Sequence, residues 1–467
     1  MSSRPNIVFL FTDDQRFDTI NALGNKSIIT PNMDNLVKHG VTFTQAHIPC
    51  GTDGAVCMPS RAMLHTGRSL FHLSGAGETI PKEHVTLGET LRENGYNCYG
   101  MGKWHNGPDS FNRCFNDGAE IFFGGMADHW NVPAYNYNKS GNYSNILPIC
   151  VNPFFSNKIQ SRIGDHVHAG KHSSNIISEA AIKYIETYKQ PNPFFMYVSF
   201  LAPHDPRTMP KKYLDMYDEN AIELPRNFME EHPFDNGELR TRDELLAPFP
   251  RTKDIVRRHI RDYYAMITHL DVQIGGIINA LKNYEFYENT IIILAGDNGL
   301  AIGQHGLFGK QNCYEHSVRV PLIFKGPNIP KNNSNNSPIY LYDIFPTICG
   351  LTDIPIPGSV DGKDYSNIIK DKEISQIRNM LYFAYTDKQR AIKNKEFKLI
   401  EYCVRRKHSM TQLFNLKKDP WELDNLADQG GFADTVRELR ADMHKLRDDW
   451  DDKESRWGKK FWRIFEK

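Results

Sequence analysis

Three apolar runs set the frame of this chain. Residues 6–11, 193–200 and 291–295 each read as a strand buried on both faces, and a fourth strand is predicted over 96–100. Each gives way at its C-terminal end to polar residues: Thr12-Asp13-Asp14-Gln15, Ala202-Pro203-His204-Asp205-Pro206-Arg207, Gly296-Asp297-Asn298-Gly299 and Gly102-Lys103-Trp104-His105. In open α/β sheets, ligands bind at such ends. Between the strands the period changes to that of helices. Thr30 and Pro31 have the form of an N-cap and first turn for a helix that stops near Gly40, and residues 41–44 follow as a strand. Thr86 and Glu89 have capping-box spacing and open a helix to about residue 94, with Leu87 and Leu91 on its apolar face. Ile176, Ile177, Ala180, Ala181, Tyr184 and Ile185 predict a helix over 173–188; Tyr263, Ile267, Leu270, Ile274 and Ile278 predict a long one over 257–281. This β–α–β rhythm predicts an α/β fold with a mostly parallel sheet flanked by helices.

Near residue 365 the pattern changes. Short apolar stretches at 380–385, 391–392 and 397–402, separated by charged turns, suit an antiparallel sheet, and a polar helix follows over 435–450. The expected division is a catalytic domain over 1–365 and a smaller α+β subdomain over 366–467. Two segments lack any period, about 111–170 and 205–253. Their aromatic and polar content predicts ordered insertions around a pocket rather than disorder. The basic, aromatic tail 456–467 is expected to dock.

Composition narrows the partners. Among 467 residues, 56 basic and 56 acidic side chains cancel, so no global field favours nucleic acid, and an anion has to be held locally. No run approaches the roughly 18 apolar residues that span a bilayer. The first strand begins too early to leave room for a signal peptide, which predicts a cytoplasmic chain, or an exported one whose signal has been removed. The eight cysteines are scattered, without paired metal spacing.

One of those cysteines carries the candidate chemistry. Cys57-Met58-Pro59-Ser60-Arg61 puts a thiol, or something made from it, at a helix start, where free N–H groups attract anions. Taken alone, Cys57 also reads as a small buried residue. Asp13, Asp14, Asp297 and Asn298 are hard oxygen donors suited to Ca²⁺ or Mg²⁺, although each pair alone is also an ordinary turn. Trp104 and Trp130 have faces that suit a sugar ring, or plain packing.

The run from Cys57 through Arg61 to Thr66-Gly67 resembles the signature of the type I formylglycine-dependent sulfatases, of the alkaline phosphatase superfamily, in their bacterial carbohydrate-acting form. Gly102-Lys103-Trp104-His105, Pro203-His204, Asp297-Asn298-Gly299, Gly303-Gln304-His305-Gly306, Gly309-Lys310 and Tyr314-Glu315 follow in the family's order. The resemblance implies an alkaline-phosphatase-like fold and hydrolysis of a sulfate ester, on a small molecule or, with these insertions, the end of a glycan. It implies that Cys57 is converted to formylglycine by a formylglycine-generating or anaerobic sulfatase-maturating enzyme. It further implies that Asp13, Asp14, Asp297 and Asn298, with position 57, hold Ca²⁺ ahead of Mg²⁺. Arg61, Lys103 and Lys310 would neutralise the sulfate oxygens. One hydroxyl of the hydrated aldehyde would attack sulfur, His204 would protonate the leaving alcohol, and His105 would take the proton that expels sulfate. Asp205 and Arg207, with Trp104 and Trp130, would lie near the substrate. Two other readings stay open: a phosphodiester or phosphonate monoester hydrolase of the same superfamily, and a catalytically silent sulfated-glycan binding protein.

Overall fold

The computed structural model describes residues 4–150, 152, 154–370 and 377–467. Its centre is a sheet of eight strands: β1 (Asn6–Thr12), β2 (Val41–Phe43), β3 (Asn97–Lys103), β4 (Asp117–Phe122), β5 (Phe194–Ser199), β6 (Thr290–Gly296), β7 (Leu322–Lys325) and β8 (Asn333–Asn335). They lie in the order β8-β2-β7-β6-β1-β5-β3-β4, and β7 runs against the rest. The unbroken apolar runs follow from the strand's period of two. Ile7, Phe9 and Phe11 enter one core while Val8 and Leu10 enter the other, so no position faces water.

Helices cover both faces. Met33 and Leu36 of α1 (Pro31–Lys38) share one core with Ile177, Ala181 and Ile185 of α4 (Ser173–Thr187) and with the stripe of α5 (Lys253–Asn283). The other core takes Ala62, Met63 and Leu64 of α2 (Cys57–Thr66) and Leu87 and Leu91 of α3 (Leu87–Glu93). The capping box of Thr86 and Glu89 forms as expected. The cap of α1 does not. Thr30 makes no side-chain cap; instead Asp271 of α5 accepts the N–H groups of Asn32 and Met33, at 3.1 and 2.8 Å. Helix α5 starts about one turn earlier than expected because Thr252 accepts the N–H of Ile255.

Strand β3 runs to Lys103 rather than ending near residue 100, and Gly102 is the reason. Its φ is +77°, and a Cβ there would lie 1.8 Å from the carbonyl oxygen of Ser199, so only glycine lets β3 continue beside β5. Lys103 thereby becomes the strand's last residue.

The C-terminal part is an antiparallel meander of β9 (Leu381–Tyr385), β10 (Gln389–Lys393), β11 (Phe397–Val404) and β12 (Lys407–Asn415). Helices α6 (Ala433–Asp449) and α7 (Arg456–Phe465) close its outer face through Leu439, Met443, Phe461 and Trp462. Its edge strand β9 pairs with Cys50–Gly51, on the approach to α2. In the first insertion, Ile146–Cys150 and Ile159–Ile163 form a separate hairpin. All eight cysteines are free, and seven are buried. No helix among the described residues is long and apolar enough to cross a membrane.

Candidate active site

Strands β6, β1, β5 and β3 are neighbours in register. Thr12 stands opposite Gly296, Phe11 opposite Ser199, and Ser199 opposite Gly102, so their C-terminal ends are level. Asp13, Asp14, Asp297, Asn298, Lys103, His105 and His204 therefore leave one edge of the sheet together. Helix α2 delivers Cys57 to the same place. Its Sγ lies 3.5 Å from His105 Nδ1 and 3.5 Å from Lys103 Nζ. Asp14 and His105 both have positive φ, 61° and 75°, a costly conformation for residues with a Cβ. Asp14 is held there from both sides of its backbone: its N–H donates to Asp297 Oδ1 at 3.0 Å, and its carbonyl accepts from Tyr263 at 2.6 Å.

The carboxylates are arranged for a cation. Lys103 Nζ donates to Asp13 Oδ2 at 2.5 Å, Lys310 Nζ to Asp14 Oδ1 at 2.5 Å, and Arg61 Nε to Asp297 Oδ2 at 2.9 Å. Two oxygens remain buried without a partner, Asp13 Oδ1 and Asn298 Oδ1. Asn298 has turned its Nδ2 to Asp14 Oδ1, 2.6 Å away, which leaves its carbonyl oxygen free. Donor atoms of Asp13, Cys57 and Asp297 lie within 4.8 Å of one another, as do those of Asp13, Asp14 and His204. Orphaned oxygens beside converging carboxylates fit a hard divalent cation. Burial raises Asp297 to about 6, with the Asp13 charge adding to it. Burial would also raise Asp13, but Lys103, His204, Arg61 and Lys310 overcome it and hold Asp13 ionised well below the usual range.

Three carboxylates now face three permanent cations, so a bound dication makes the site net positive toward an anionic ester. Removing metal with EDTA is therefore expected to abolish turnover, and adding a divalent cation to restore it. Asp13→Asn should lower kcat/KM by on the order of 10²-fold or more, since metal polarisation is worth several kcal/mol. Steady-state assays before and after metal restoration check both.

A pocket of about 240 Å³ opens above these groups, lined by Cys57, His105, His204 and Lys310 and by Gly125 and Arg242. A larger cleft of about 630 Å³ lies along β3 and β4 and is lined by none of these residues. The expected residues do not all reach the pocket. Arg61 is fully buried beneath it, spending its donors on Asp297, the Lys103 carbonyl and Ser199 Oγ, and so fixes the Asp297 carboxylate rather than lining the wall. Trp104 is fully buried among Phe111, Phe115 and Tyr197, with Nε1 donating to Ser110 Oγ, and is a core residue. Trp130 packs edge-on against His172, away from the pocket lining. Arg207 is engaged with His259 and the ring of Tyr263. Asp205 stands behind the wall, where it accepts a bidentate pair from Arg242. Burial opposes its charge, but that pair holds it down at about 2. Thr241, Arg242 and Asp243 of the second insertion and Gly125 and Met126 of the first line the pocket, as expected of the two segments, although no pattern singles out these residues.

The sulfatase family profile matches residues 5–354, and a profile for the C-terminal part of N-sulphoglucosamine sulphohydrolase matches 303–449. An ulvan-active sulfatase of Formosa agariphila is 30% identical over 461 residues, covering 95% of this chain and 81% of that protein. An N-acetylglucosamine-6-O-sulfatase of Bacteroides thetaiotaomicron is 24% identical, covering 97% of this chain and 88% of the relative. Among solved structures, yidJ from Bacteroides fragilis superposes with a TM-score of 0.78 at 22% identity, covering 98% of each chain, which supports the same fold. Sequence profile, full-length relative and the groups gathered at the sheet edge agree: this chain belongs to the sulfatase family and is a sulfuric ester hydrolase of alkaline-phosphatase fold.

Proposed function

We propose that the chain removes a sulfate group from the end of a sulfated carbohydrate. The observation that carries this reading is the pocket. At about 240 Å³ it is smaller than the roughly 300–1,000 Å³ usual for drug-sized ligands, which suits one terminal sugar rather than an internal stretch. At its rim Arg242 is half exposed and paired with Asp205 and Asp243, a charged group within reach of a hydroxylated ligand. Two full-length relatives act on sulfated carbohydrates by name, which supports the same substrate class here.

Cys57 is only 2% exposed, so its conversion to formylglycine fits a maturating enzyme of the formylglycine-generating or anaerobic type working before the chain closes. Burial raises the thiol's pKa against the pull of Lys103 and Lys310, so the unconverted side chain stays a protonated, weak nucleophile. Formylglycine supplies, as its hydrate, a hydroxyl nucleophile for sulfur, and the cation, Ca²⁺ in this reading, supplies charge to the sulfate oxygens. Asp13, Asp14, Asp297 and Asn298 would hold that cation. His204 Nδ1 donates to the Asp205 carbonyl at 2.7 Å, so Nε2 is the atom left to carry a proton to the leaving alcohol. Burial and the Lys103 charge hold His105 neutral, and its Nδ1 stands 3.5 Å from Cys57 Sγ, which supports a role in taking a proton at position 57. Lys103 and Lys310 present the charge that sulfate oxygens require.

A panel of galactose and N-acetylhexosamine sulfates, compared with aryl sulfates by released sulfate, tests the substrate class. A preferred sugar sulfate is expected; turnover of aryl sulfates alone would refute the proposal. Within the same panel, Arg242→Ala should raise KM for the best sugar about 10–100-fold, the worth of a charged hydrogen bond, while changing kcat little.

A further inference from the structure

A second group of metal-ligating side chains stands apart from the catalytic edge. His166 and His168 are two apart in extended backbone, so the alternation of a strand sends both rings to one side and Val167 to the other. Facing them is Glu120 of β4, the edge strand of the main sheet. His166 Nε2 lies 3.0 Å from Glu120 Oε2, and His168 Nε2 lies 3.0 and 3.1 Å from the two carboxylate oxygens. All three residues can offer one donor atom within 4.8 Å of the others.

We propose that Glu120, His166 and His168 form a Zn²⁺ site. Zinc bound to imidazole nitrogen and carboxylate oxygen at about 2.0–2.1 Å in a tetrahedron places neighbouring donors about 3.3 Å apart. The observed nitrogen–oxygen separations of 3.0–3.1 Å need only a small expansion to reach that. Without metal, both imidazoles donate Nε2–H to the one carboxylate; with metal, each ring proton moves to Nδ1 and the Nε2 lone pair becomes a ligand. The donor set separates this site from the catalytic one, since two nitrogens favour zinc where the carboxylates of Asp13, Asp14 and Asp297 favour a hard cation. The backbone is fixed on both sides. His166 and Val167 pair with Ala134 and Pro133, and the next residue, Tyr135, exchanges two hydrogen bonds with Ile121, at 2.9 and 2.8 Å. The 630 Å³ cleft, which His168 and Glu120 line, gives an entry path and room for a water in the fourth position. Zinc here would add a second clamp between the first insertion and the sheet's edge strand, beside the Tyr135–Ile121 bridge.

Calorimetric titration of the full chain with Zn²⁺, after chelation and with Ca²⁺ saturating, tests the site. One equivalent of zinc and a rise in Tm are expected. The double variant His166→Ala/His168→Ala should lose that equivalent and the rise while its sulfatase kcat/KM stays unchanged. Glu120→Gln, which keeps the size of the side chain, should weaken zinc by more than the roughly 10–100-fold that loss of an outer-shell partner costs. No zinc uptake by the Ca²⁺-loaded chain, or equal uptake by the three-ligand variants, would overturn the site.

Discussion

Cys57→Ala is expected to lower sulfate release by on the order of 10⁴-fold or more, the scale of losing a nucleophile, while the fold stays intact. The side chain is small and its removal leaves little space. What disappears is the side chain proposed as the precursor of the nucleophile, whose Sγ stands 3.5 Å from both His105 Nδ1 and Lys103 Nζ. Cys57→Ser should be equally inactive. It keeps a hydroxyl but lacks the second oxygen whose proton His105 can take, so any sulfated serine would have no elimination route. The informative comparison is wild-type chain produced without maturation. Mass spectrometry of the peptide around position 57 reports the converted fraction, and kcat should scale with it. An unconverted chain that releases sulfate at the converted rate would sink the assignment, because a buried, protonated thiol would then be doing the chemistry. Thermal unfolding of the variants checks that the loss is chemical and not structural.

The strands were legible because burial on both faces leaves an unbroken apolar run, and the site was legible because its groups follow those runs directly. Side-chain direction was not. Arg61 follows Cys57 by one helical turn, so the two share a face, but Arg61 sits deeper and meets Asp297 before it can meet a ligand. Trp104 lies between Lys103 and His105, and alternation turns it into the core while its neighbours face the site. The pocket wall was hidden for a different reason. Arg242 belongs to a segment without period, and what fixes it is Asp205, far away in the chain, so no local pattern marks it. Strand β10 shows only residues 391–392 as an apolar stretch in the sequence. Gln389, Arg390 and Lys393 are buried polar residues satisfied by distant partners, which erases the apolar alternation that strand prediction reads.

Asp452→Ala, finally, is expected to cost about 3–5 kcal/mol of folding stability, the penalty for stranding a buried charge. Arg390 donates to both oxygens of Asp452, at 2.6 and 2.8 Å, and Tyr382 and the indole of Trp462 add bonds of 2.7 and 2.9 Å. Arg390 and Asp452 are fully buried, so alanine leaves the guanidinium without water and without a counter-charge. The loss should depend on pH. Burial would raise Asp452, but Arg390 and the other donors hold it below its ordinary carboxylate value. A folded pKa lower than the unfolded one means that the pair's stability is present above the unfolded value, about 3.9, and is lost as pH falls through the folded one. The gap between wild type and variant should therefore be full near neutrality and close in strong acid. Denaturant unfolding followed by tryptophan fluorescence reads it, because Trp462 is itself a partner. Replacing both charges, Arg390→Met with Asp452→Leu, should restore part of the stability: the unpaired ion is gone, while the Tyr382 hydroxyl and the Trp462 indole N–H still lose their acceptor. A variant Asp452→Ala as stable as wild type would mean that water reaches Arg390, and that the β9–β12 sheet is looser around α7 than its packing indicates.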